Sequence, residues 1–131
     1  MILLDTHAWL WLNGAIEKLP RGLRETLERA DQPIYLSSAS AWEIAIKHHE
    51  GKLTLPLPPD EYLSTRLPQN GVSSLPIRQS HALRAAALPL HHRDPFDRIL
   101  VAQAQIEELT LVTADPQLSK YEVKILWSRN D

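Results

Sequence analysis

The chain opens with Met1-Ile2-Leu3-Leu4-Asp5-Thr6, in which three consecutive apolar residues run directly into an acid. A continuous apolar run of this length is typical of a strand buried on both faces, as in a parallel sheet. In such sheets, ligands bind outside the carboxyl ends of the strands. We therefore expect residues 2–4 to form a buried strand and Asp5 to lie at a functional edge, although an ordinary turn residue would also account for Asp5.

Further strand and helix patterns alternate along the rest of the chain. Strand patterns occupy residues 34–36, 71–76, 109–112 and 123–127. Helical patterns occupy residues 7–12, a segment opening at 20, and 39–50, 60–67, 79–87 and 94–107. Strands that alternate with helices predict a parallel sheet with helices on both faces.

The composition is that of an ordinary globular protein, and 131 residues fit a single domain, 1–131. The chain has no cysteine, which excludes disulfides and thiolate metal sites and permits a reducing compartment. We expect a cytoplasmic protein with no membrane contact, because no apolar run approaches the roughly 20 residues of a membrane helix. The acid at position 5 interrupts the first apolar stretch, so we expect no secretory leader.

The net charge is −2, from 14 basic and 16 acidic residues. Overall charge therefore does not predict binding to nucleic acid. If the partner is a nucleic acid, bound cations and a local basic patch must attract it.

Four acids are predicted to meet at the carboxyl edge of the sheet. Asp5 and Asp115 follow two of the strand patterns, and Glu43 and Asp97 stand in the opening turns of two helices that begin at that edge. Carboxylates this close repel one another unless a cation lies among them. Mg²⁺ and Mn²⁺ prefer oxygen ligands, activate water and neutralise charge on a phosphodiester. The pattern therefore predicts metal-assisted hydrolysis of a phosphodiester backbone, by one ion or by a pair.

Each acid also has a structural interpretation. Glu43 could be a solvated helix residue or part of a capping box, and Asp97 occupies a capping-box position. Asp115 could cap a turn. Asp94-Pro95 has the pattern of a helix N-cap followed by proline at the first helical position. The prediction of a site therefore depends on the four acids occurring together.

Four segments resemble the PIN-domain family, and within it the VapC-type toxin ribonucleases of bacterial type II toxin–antitoxin pairs. They are residues 1–10 (MILLDTHAWL), 38–47 (SASAWEIAIK), 92–103 (HRDPFDRILVAQ) and 109–115 (LTLVTAD). They occur in the family order and, with 123–127 (VKILW), span nearly the whole chain. The resemblance implies a three-layer α/β/α sandwich around a parallel sheet of about five strands.

The same resemblance implies an endoribonuclease that depends on Mg²⁺ or Mn²⁺, forms a homodimer, and has a cognate antitoxin whose tail blocks the site. By motif, the catalytic and metal-ligating acids of the family fall on Asp5, Glu43, Asp97 and Asp115. Asp97 is chosen because residues 97–102 (DRILVA) match the family's acid that precedes an apolar helix, and Asp94 is the second choice. One departure from the family pattern is Glu108, which stands where a glycine commonly ends the long helix.

Several polar residues near the acids are candidates for supporting roles. Thr6, Ser38 and Thr113 could orient a ligand carboxylate, or could instead make helix-cap and turn hydrogen bonds. Arg93 and Arg98 flank an acid motif and are the preferred candidates for phosphate contacts. Four further candidates for phosphate contacts are expected instead to form a solvated surface: Lys47, His48, His49 and Lys52.

Neither the remaining histidines nor the tryptophans define a site of their own. His91-His92 does not predict a zinc site, because adjacent loop residues point apart and no third ligand follows at suitable spacing. Trp9 and Trp11 cannot share one helix face, so one of them is expected to face a partner.

Three other functions are compatible with parts of this pattern. A catalytically silent PIN-like binding module would keep the fold, but the presence of all four acids argues against it. A receiver-type signalling domain would need an acceptor aspartate after the third strand, where Ser73-Ser74 stands. A phosphotransferase of the haloacid dehalogenase type would need a second aspartate where His7 stands.

Overall fold

A five-stranded parallel sheet forms the centre of the protein, whose computed structural model describes residues 1–127. Residues 128–131, which belong to the predicted domain, lie outside the described residues. All neighbouring strands are parallel, in the order β3-β2-β1-β4-β5, which confirms the predicted sheet and its three-layer architecture. The strands are β1 (Ile2–Leu4), β2 (Ile34–Ser37), β3 (Val72–Leu75), β4 (Thr110–Thr113) and β5 (Ile125–Trp127).

In residues 1–127, six α-helices surround this sheet, and they follow one another in the predicted order. They are α1 (Thr6–Gly14), α2 (Arg21–Glu28), α3 (Ser38–His49), α4 (Pro59–Asn70), α5 (Gln79–Ala87) and α6 (Pro95–Glu107), with short 3₁₀ turns at Ile16–Lys18 and Pro116–Lys120. Within residues 1–127, every helix falls short of the length and apolarity that a bilayer crossing requires.

The end of α4 differs from the prediction, which placed it at about Leu67. The helix continues to Asn70, with Pro68 inside its last turn. A proline there removes one backbone hydrogen bond near a helix end that frays in any case. Gly71 then closes the helix in the left-handed conformation, with φ 68°.

The apolar run of β1 is continuous because both faces of the strand are buried. Ile2 and Leu4 face a core that contains Trp9 of α1 and Tyr62 of α4. Leu3 points to the opposite face, into a second core built from β4, α6 and the segment after β4. Successive side chains of a strand point to opposite faces, so the helices on both sides of the sheet require an unbroken apolar strand between them.

The order of the strands places a topological switch point between β1 and β4. From β1 the chain builds outward through β2 and β3, and it then returns to the other side of β1 with β4 and β5. A crevice opens outside the carboxyl ends of the strands at such a point. The order also differs from the 2-1-3-4-5 order of receiver-type domains, so the receiver hypothesis does not fit this fold.

The tryptophans divide into core and surface positions. Trp9 is fully buried and meets the ring of Tyr62 edge-on, and Trp11 is half-buried against Trp127. Trp42 is 62% exposed, and its ring contacts Phe96 at a centroid distance of 5.3 Å. Of the two tryptophans of α1, one of which was expected to face a partner, Trp9 lies in the core, which leaves Trp11 as the candidate.

Candidate metal centre

Asp5 lies at the switch point, directly after β1, and its side chain is buried. Its Oδ1 atom accepts a hydrogen bond from the backbone N–H of Ala8 at 2.8 Å and caps α1. Burial raises the pKa of Asp5, while a hydrogen bond from Thr113 and the N–H of Ala8 partly oppose this effect. Asp5 therefore has the structural role that was predicted as an alternative, and its carboxylate also lies near enough to Glu43 for the two charges to interact.

Glu43 reaches the same place from the second turn of α3, not from its first turn as predicted. Both of its carboxylate oxygens have partners: Oε1 lies 2.6 Å from the hydroxyl of Thr6, and Oε2 lies 2.8 Å from Nζ of Lys47. The Thr6 hydroxyl also lies 2.9 Å from Oγ of Ser40. A hydroxyl has one hydrogen, so Thr6 donates to Glu43 and accepts from Ser40. The capping-box interpretation of Glu43 is wrong, because Ser37 caps α3 through the N–H of Ala39.

Lys47 is part of this arrangement, although a solvated surface was expected for it. It stands one turn after Glu43 on α3, a spacing at which an acid and a base on one helix meet. Its hydrogen bond to Glu43 raises the pKa of Lys47, and the nearby charges of Asp94 and Asp97 add to the effect. Lys47 therefore balances part of the negative charge of the cluster.

Asp97 lies in the first turn of α6 and is largely shielded from solvent. Burial raises the pKa of Asp97 to about 7, and the charges of Asp94, Asp5 and Glu43 contribute to the increase, partly offset by His92. Burial is the larger cause of this increase, and the negative charges of the three neighbouring acids add to it. A bound cation would offset these charges.

Asp94 has the structural role that was predicted for it. Its Oδ1 atom accepts the N–H of Phe96 at 2.9 Å and caps α6, with Pro95 at the first helical position. Its own N–H donates to Nδ1 of His92 at 3.0 Å. Because that N–H is already used, the capping-box interpretation of Asp97 is wrong.

His92 joins two of the predicted acids, and the sequence interpretation did not identify it as a site residue. Its Nε2 atom lies 2.8 Å from Oδ2 of Asp115 and 3.3 Å from Oδ2 of Asp97. One ligand atom from each of these three residues lies within 4.8 Å of the others. No local pattern signals this role, because His92 and Asp115 are 23 residues apart and meet only in the folded chain.

Asp115 follows β4 across the switch point from Asp5. Its Oδ1 atom accepts a hydrogen bond from the N–H of Gln117 at 2.9 Å and caps the 3₁₀ turn. This is the structural role that the sequence analysis gave as an alternative for Asp115. Thr113 supports both acids: its Oγ1 atom accepts the N–H of Asp115 at 3.1 Å, and its side chain is hydrogen-bonded to Asp5. Of the serines that open α3, Ser40 rather than the predicted Ser38 lies against Thr6.

The two arginines that flank Asp97 have different environments. The Nη2 atom of Arg98 donates to the carbonyls of Ala85 and Leu88 at 2.8 and 3.2 Å, with Ala86 O at 3.4 Å. Arg98 therefore connects α6 to the end of α5 through hydrogen bonds. Since its guanidinium is used in these bonds, the expectation that Arg98 contacts phosphate does not fit this geometry. Arg93 is exposed and stays a candidate for such a contact.

The donor set is that of a hard cation. The four predicted acids offer carboxylate oxygens from β1, α3, α6 and the segment after β4, and the residues present therefore fit Mg²⁺ or Mn²⁺. Asp5, Glu43 and Asp115 are each held by a hydrogen bond within the protein, and the charges of neighbouring acids act on Asp97. These contacts limit how far the carboxylates would have to move to bind a cation.

The comparisons with known proteins agree with this architecture. A family model described as "PIN domain" matches residues 2–124. Ribonuclease VapC16 of Mycobacterium tuberculosis (strain ATCC 25618 / H37Rv) is 38% identical over 64 residues, which are 49% of this chain and 45% of that protein. The match thus spans about half the length of this relative.

Solved structures resemble the chain over almost its entire length. A toxin-antitoxin complex from Klebsiella pneumoniae contains a chain that is 20% identical, with a TM-score of 0.65 and 96% of both chains covered. DNA-bound VapBC from Salmonella typhimurium contains one that is 17% identical, with a TM-score of 0.68 and 96% of this chain and 98% of that chain covered. At these identities, the likeness shows a shared fold.

Proposed function

The chain belongs to the PIN-domain family, and we propose that it is an endoribonuclease dependent on Mg²⁺ or Mn²⁺, formed by a single domain over residues 1–131. The observation that carries this proposal is the close approach of His92, Asp97 and Asp115, with the buried acids Asp5 and Glu43 near enough for their charges to act on Asp97. Asp97 and Asp115 share His92, while the charges of Asp5 and Glu43 contribute to the raised pKa of Asp97. A cluster of neighbouring negative charges is suited to a divalent cation.

In this proposal, Asp5, Glu43, Asp97 and Asp115 hold the cation. The ion, when bound, supplies the activation of water and the neutralisation of charge on the phosphodiester. Thr6 keeps the carboxylate of Glu43 in one orientation through a buried hydrogen bond.

RNA is the proposed substrate, because the relative with 38% identity is named a ribonuclease. The net charge of −2 makes local positive charge necessary for a polyanion to approach. Lys52 and Arg93 are exposed and are the proposed phosphate contacts at the margins of the site.

We also propose the role of a toxin that a cognate antitoxin inhibits. Several chains of similar fold come from structures titled as toxin-antitoxin or VapBC complexes. A groove of about 490 Å³ lies beside the acids, and its lining includes Thr6, Lys47, Leu53, Leu55 and Tyr62. The groove is mostly apolar, and such a surface suits an apolar segment of an antitoxin.

A homodimer in the cytoplasm completes the proposal. Trp42 is largely exposed beside the half-buried Phe96, and a large exposed aromatic side chain is typical of a protein interface. Sedimentation of the purified chain would test the dimer, and Trp42→Ala would be expected to yield monomers.

Cleavage of a single-stranded RNA by the purified full chain tests the activity. With Mn²⁺ we expect cleavage, and with Mn²⁺ removed by a chelator we expect none. Asp5→Asn should lower the rate by at least about 100-fold, whereas Asp31→Asn, at an exposed acid outside the cluster, should cut like the parent. Equal cleavage by the Asp5→Asn and parent proteins would disprove the proposal and would point to a contaminating nuclease.

A further inference from the structure

His92 lies between two of the proposed ligand acids, where its Nε2 atom is placed either to coordinate a metal or to donate a hydrogen bond to the acids. Its Nε2 atom is within 3.3 Å of a carboxylate oxygen from each of Asp97 and Asp115, which come from different elements of the fold. We propose that His92 is a positioning residue of the metal centre, which holds these two carboxylates in their binding geometry by donating a hydrogen bond and does not itself coordinate the ion. This inference rests on the proposed function, because it assumes that the two acids bind a metal.

The tautomer of His92 follows from its other ring nitrogen. Nδ1 lies 3.0 Å from the backbone nitrogen of Asp94, whose N–H can only donate. Nδ1 must therefore be the unprotonated acceptor, so the hydrogen of the neutral ring is on Nε2. That hydrogen points towards Asp115 and Asp97. A ring nitrogen that carries a hydrogen has no lone pair to offer a metal, so coordination through Nε2 would require the bond from Asp94 to break.

The ring is held from its backbone side as well. The N–H of His92 donates to the hydroxyl of Tyr121 at 3.0 Å, and that hydroxyl donates to the carbonyl of Pro89 at 2.6 Å. Tyr121 is buried in the core that contains Leu3 of β1. These bonds anchor the loop between α5 and α6 to the segment after β4. The backbone of His92 and its Nδ1 atom are therefore both held by hydrogen bonds within the protein.

The position of His92 has a direct consequence for the two acids. Asp97 and Asp115 repel each other, and a single N–H shared between them reduces that repulsion. A carboxylate has about four lone-pair sites, so each acid keeps sites for a cation after accepting from His92. Residues that hold metal-ligating groups in this way typically change metal affinity or activity by 10–100-fold when they are replaced.

Metal affinity of the full chain provides the first test, measured by calorimetry with Mn²⁺ on metal-free protein. We expect His92→Phe, which keeps a ring but loses both nitrogens, to bind Mn²⁺ about 10–100-fold more weakly, and His92→Gln, whose amide can still donate, to recover part of the loss. The matched control is His91→Phe, at the exposed neighbour whose ring meets Tyr121 edge-on; we expect its affinity to stay within about twofold of the parent. Unchanged or tighter binding by His92→Phe would overturn the proposal.

The second test uses the unsubstituted protein and therefore does not depend on the folding of a variant. The ¹⁵N shifts of the His92 ring should show a protonated Nε2 and an unprotonated Nδ1, both before and after saturation with Mg²⁺. In the Mn²⁺ complex, pulsed electron paramagnetic resonance should detect no directly coordinated ring nitrogen. A coordinated nitrogen that is lost in His92→Gln would instead identify His92 as a ligand.

These readouts are separate from RNA cleavage. A parent protein that binds Mn²⁺ with the expected dependence on His92 but cuts no RNA would disprove the nuclease and leave the positioning role standing. A parent that binds no Mn²⁺ would disprove both. Cleavage with normal Mn²⁺ affinity in His92→Phe would disprove the positioning role alone.

Discussion

The hydroxyl oxygen of Thr6 lies 2.6 Å from Oε1 of Glu43, across 37 positions of sequence. Both side chains are buried, so the bond joins the start of α1 to the second turn of α3 away from solvent. Through this bond the segment after β1 fixes the orientation of an acid that α3 supplies. The contact therefore connects the stability of the fold with the geometry of the proposed metal site.

Removal of this hydroxyl should destabilise the protein. Thr6→Val keeps the shape of the side chain but leaves a buried carboxylate oxygen without its donor, so we expect the free energy of unfolding to fall by about 1.5–3 kcal/mol. Urea denaturation of metal-free protein at pH 7 measures the change. Thr6→Ser should restore most of the loss, and Thr26→Val, at an exposed helix position, should cost less than about 0.5 kcal/mol. Equal effects at positions 6 and 26 would contradict the role of the bond.

The stability of the metal-free protein should fall as the pH rises. Burial and neighbouring acids raise the pKa of Asp97 from 3.8 to about 7. The folded state therefore holds more protons than the unfolded state between these values, and its stability is lost as the pH rises through this window. Each pKa unit is worth about 1.4 kcal/mol, so Asp97 alone contributes at most about 4 kcal/mol.

Substitution isolates the contribution of Asp97 to this pH dependence. Asp97→Asn should flatten the decrease in unfolding free energy between pH 4 and pH 7, and it should make the metal-free protein more stable than the parent at pH 8. Denaturation at a series of pH values provides the measurement. A parallel slope in parent and variant would show that the carboxyl of Asp97 titrates normally.

Divalent cations should reverse this destabilisation. At a Mn²⁺ concentration about 100-fold above the dissociation constant, binding to the folded state should add about 2.7 kcal/mol to the free energy of unfolding. Asp97→Asn should abolish the increase, whereas Asp94→Asn should retain it, because asparagine can still accept the N–H of Phe96 and cap α6. Thermal unfolding at pH 8 with and without Mn²⁺ measures both. If Asp94→Asn abolished the stabilisation by Mn²⁺ and Asp97→Asn retained it, Asp94 would be the metal ligand and Asp97 would not.

Substitutions of Arg98 and Arg93 should have different effects, the first on stability and the second on RNA binding. Arg98→Ala removes the donor to the carbonyls at the end of α5, so we expect a stability loss of about 1–3 kcal/mol. Arg93→Ala should leave stability within about 0.5 kcal/mol and should weaken RNA binding. Denaturation and RNA binding to a cleavage-deficient Asp5→Asn background measure the two effects. A stable Arg98→Ala protein with weakened RNA binding would restore the phosphate role first expected for Arg98.

Glu108 offers a stabilising substitution. It ends α6 in the left-handed conformation, with φ 57° and ψ 51°, which a side chain with a Cβ atom disfavours. Glu108→Gly removes the strain of the left-handed backbone, but it also increases the entropy of the unfolded chain, which offsets part of the gain. We expect a net rise in the free energy of unfolding of about 0.5–1 kcal/mol. Glu50→Gly is the control, because Glu50 also ends a helix but with φ −79°, and there we expect no gain. A similar change in melting temperature for both variants would exclude conformational strain as the cause.

Much of the fold could be predicted from short-range signals. The apolar run of residues 2–4 identifies a strand buried on both faces, and Asp94-Pro95 marks the start of α6. Such signals act between residues within one or two turns, so they are visible in the linear sequence. The Lys47–Glu43 pair also has the spacing of a helical ion pair, and this pattern could have revealed that Lys47 belongs to the site.

Other features could not be predicted in this way. The contact of His92 with Asp115 and the use of Arg98 at the end of α5 depend on how separate elements pack. Glu108 is a further example. The sequence shows a glutamate where the family commonly has a glycine, but it does not show that the backbone of Glu108 is left-handed.

The sequence by itself determined which chemical groups are present and where the elements that carry them begin. It supplies four acids with oxygen ligands, two of them directly after strands, because residue type and local capping preferences depend on near neighbours alone. The tertiary structure decided that β4 lies beside β1 and that Asp97 and Asp115 both lie against His92. It also decided the orientation of the His92 ring. These features depend on burying both faces of the sheet and on pairing polar groups that are distant in sequence, and such interactions exist only in the folded chain.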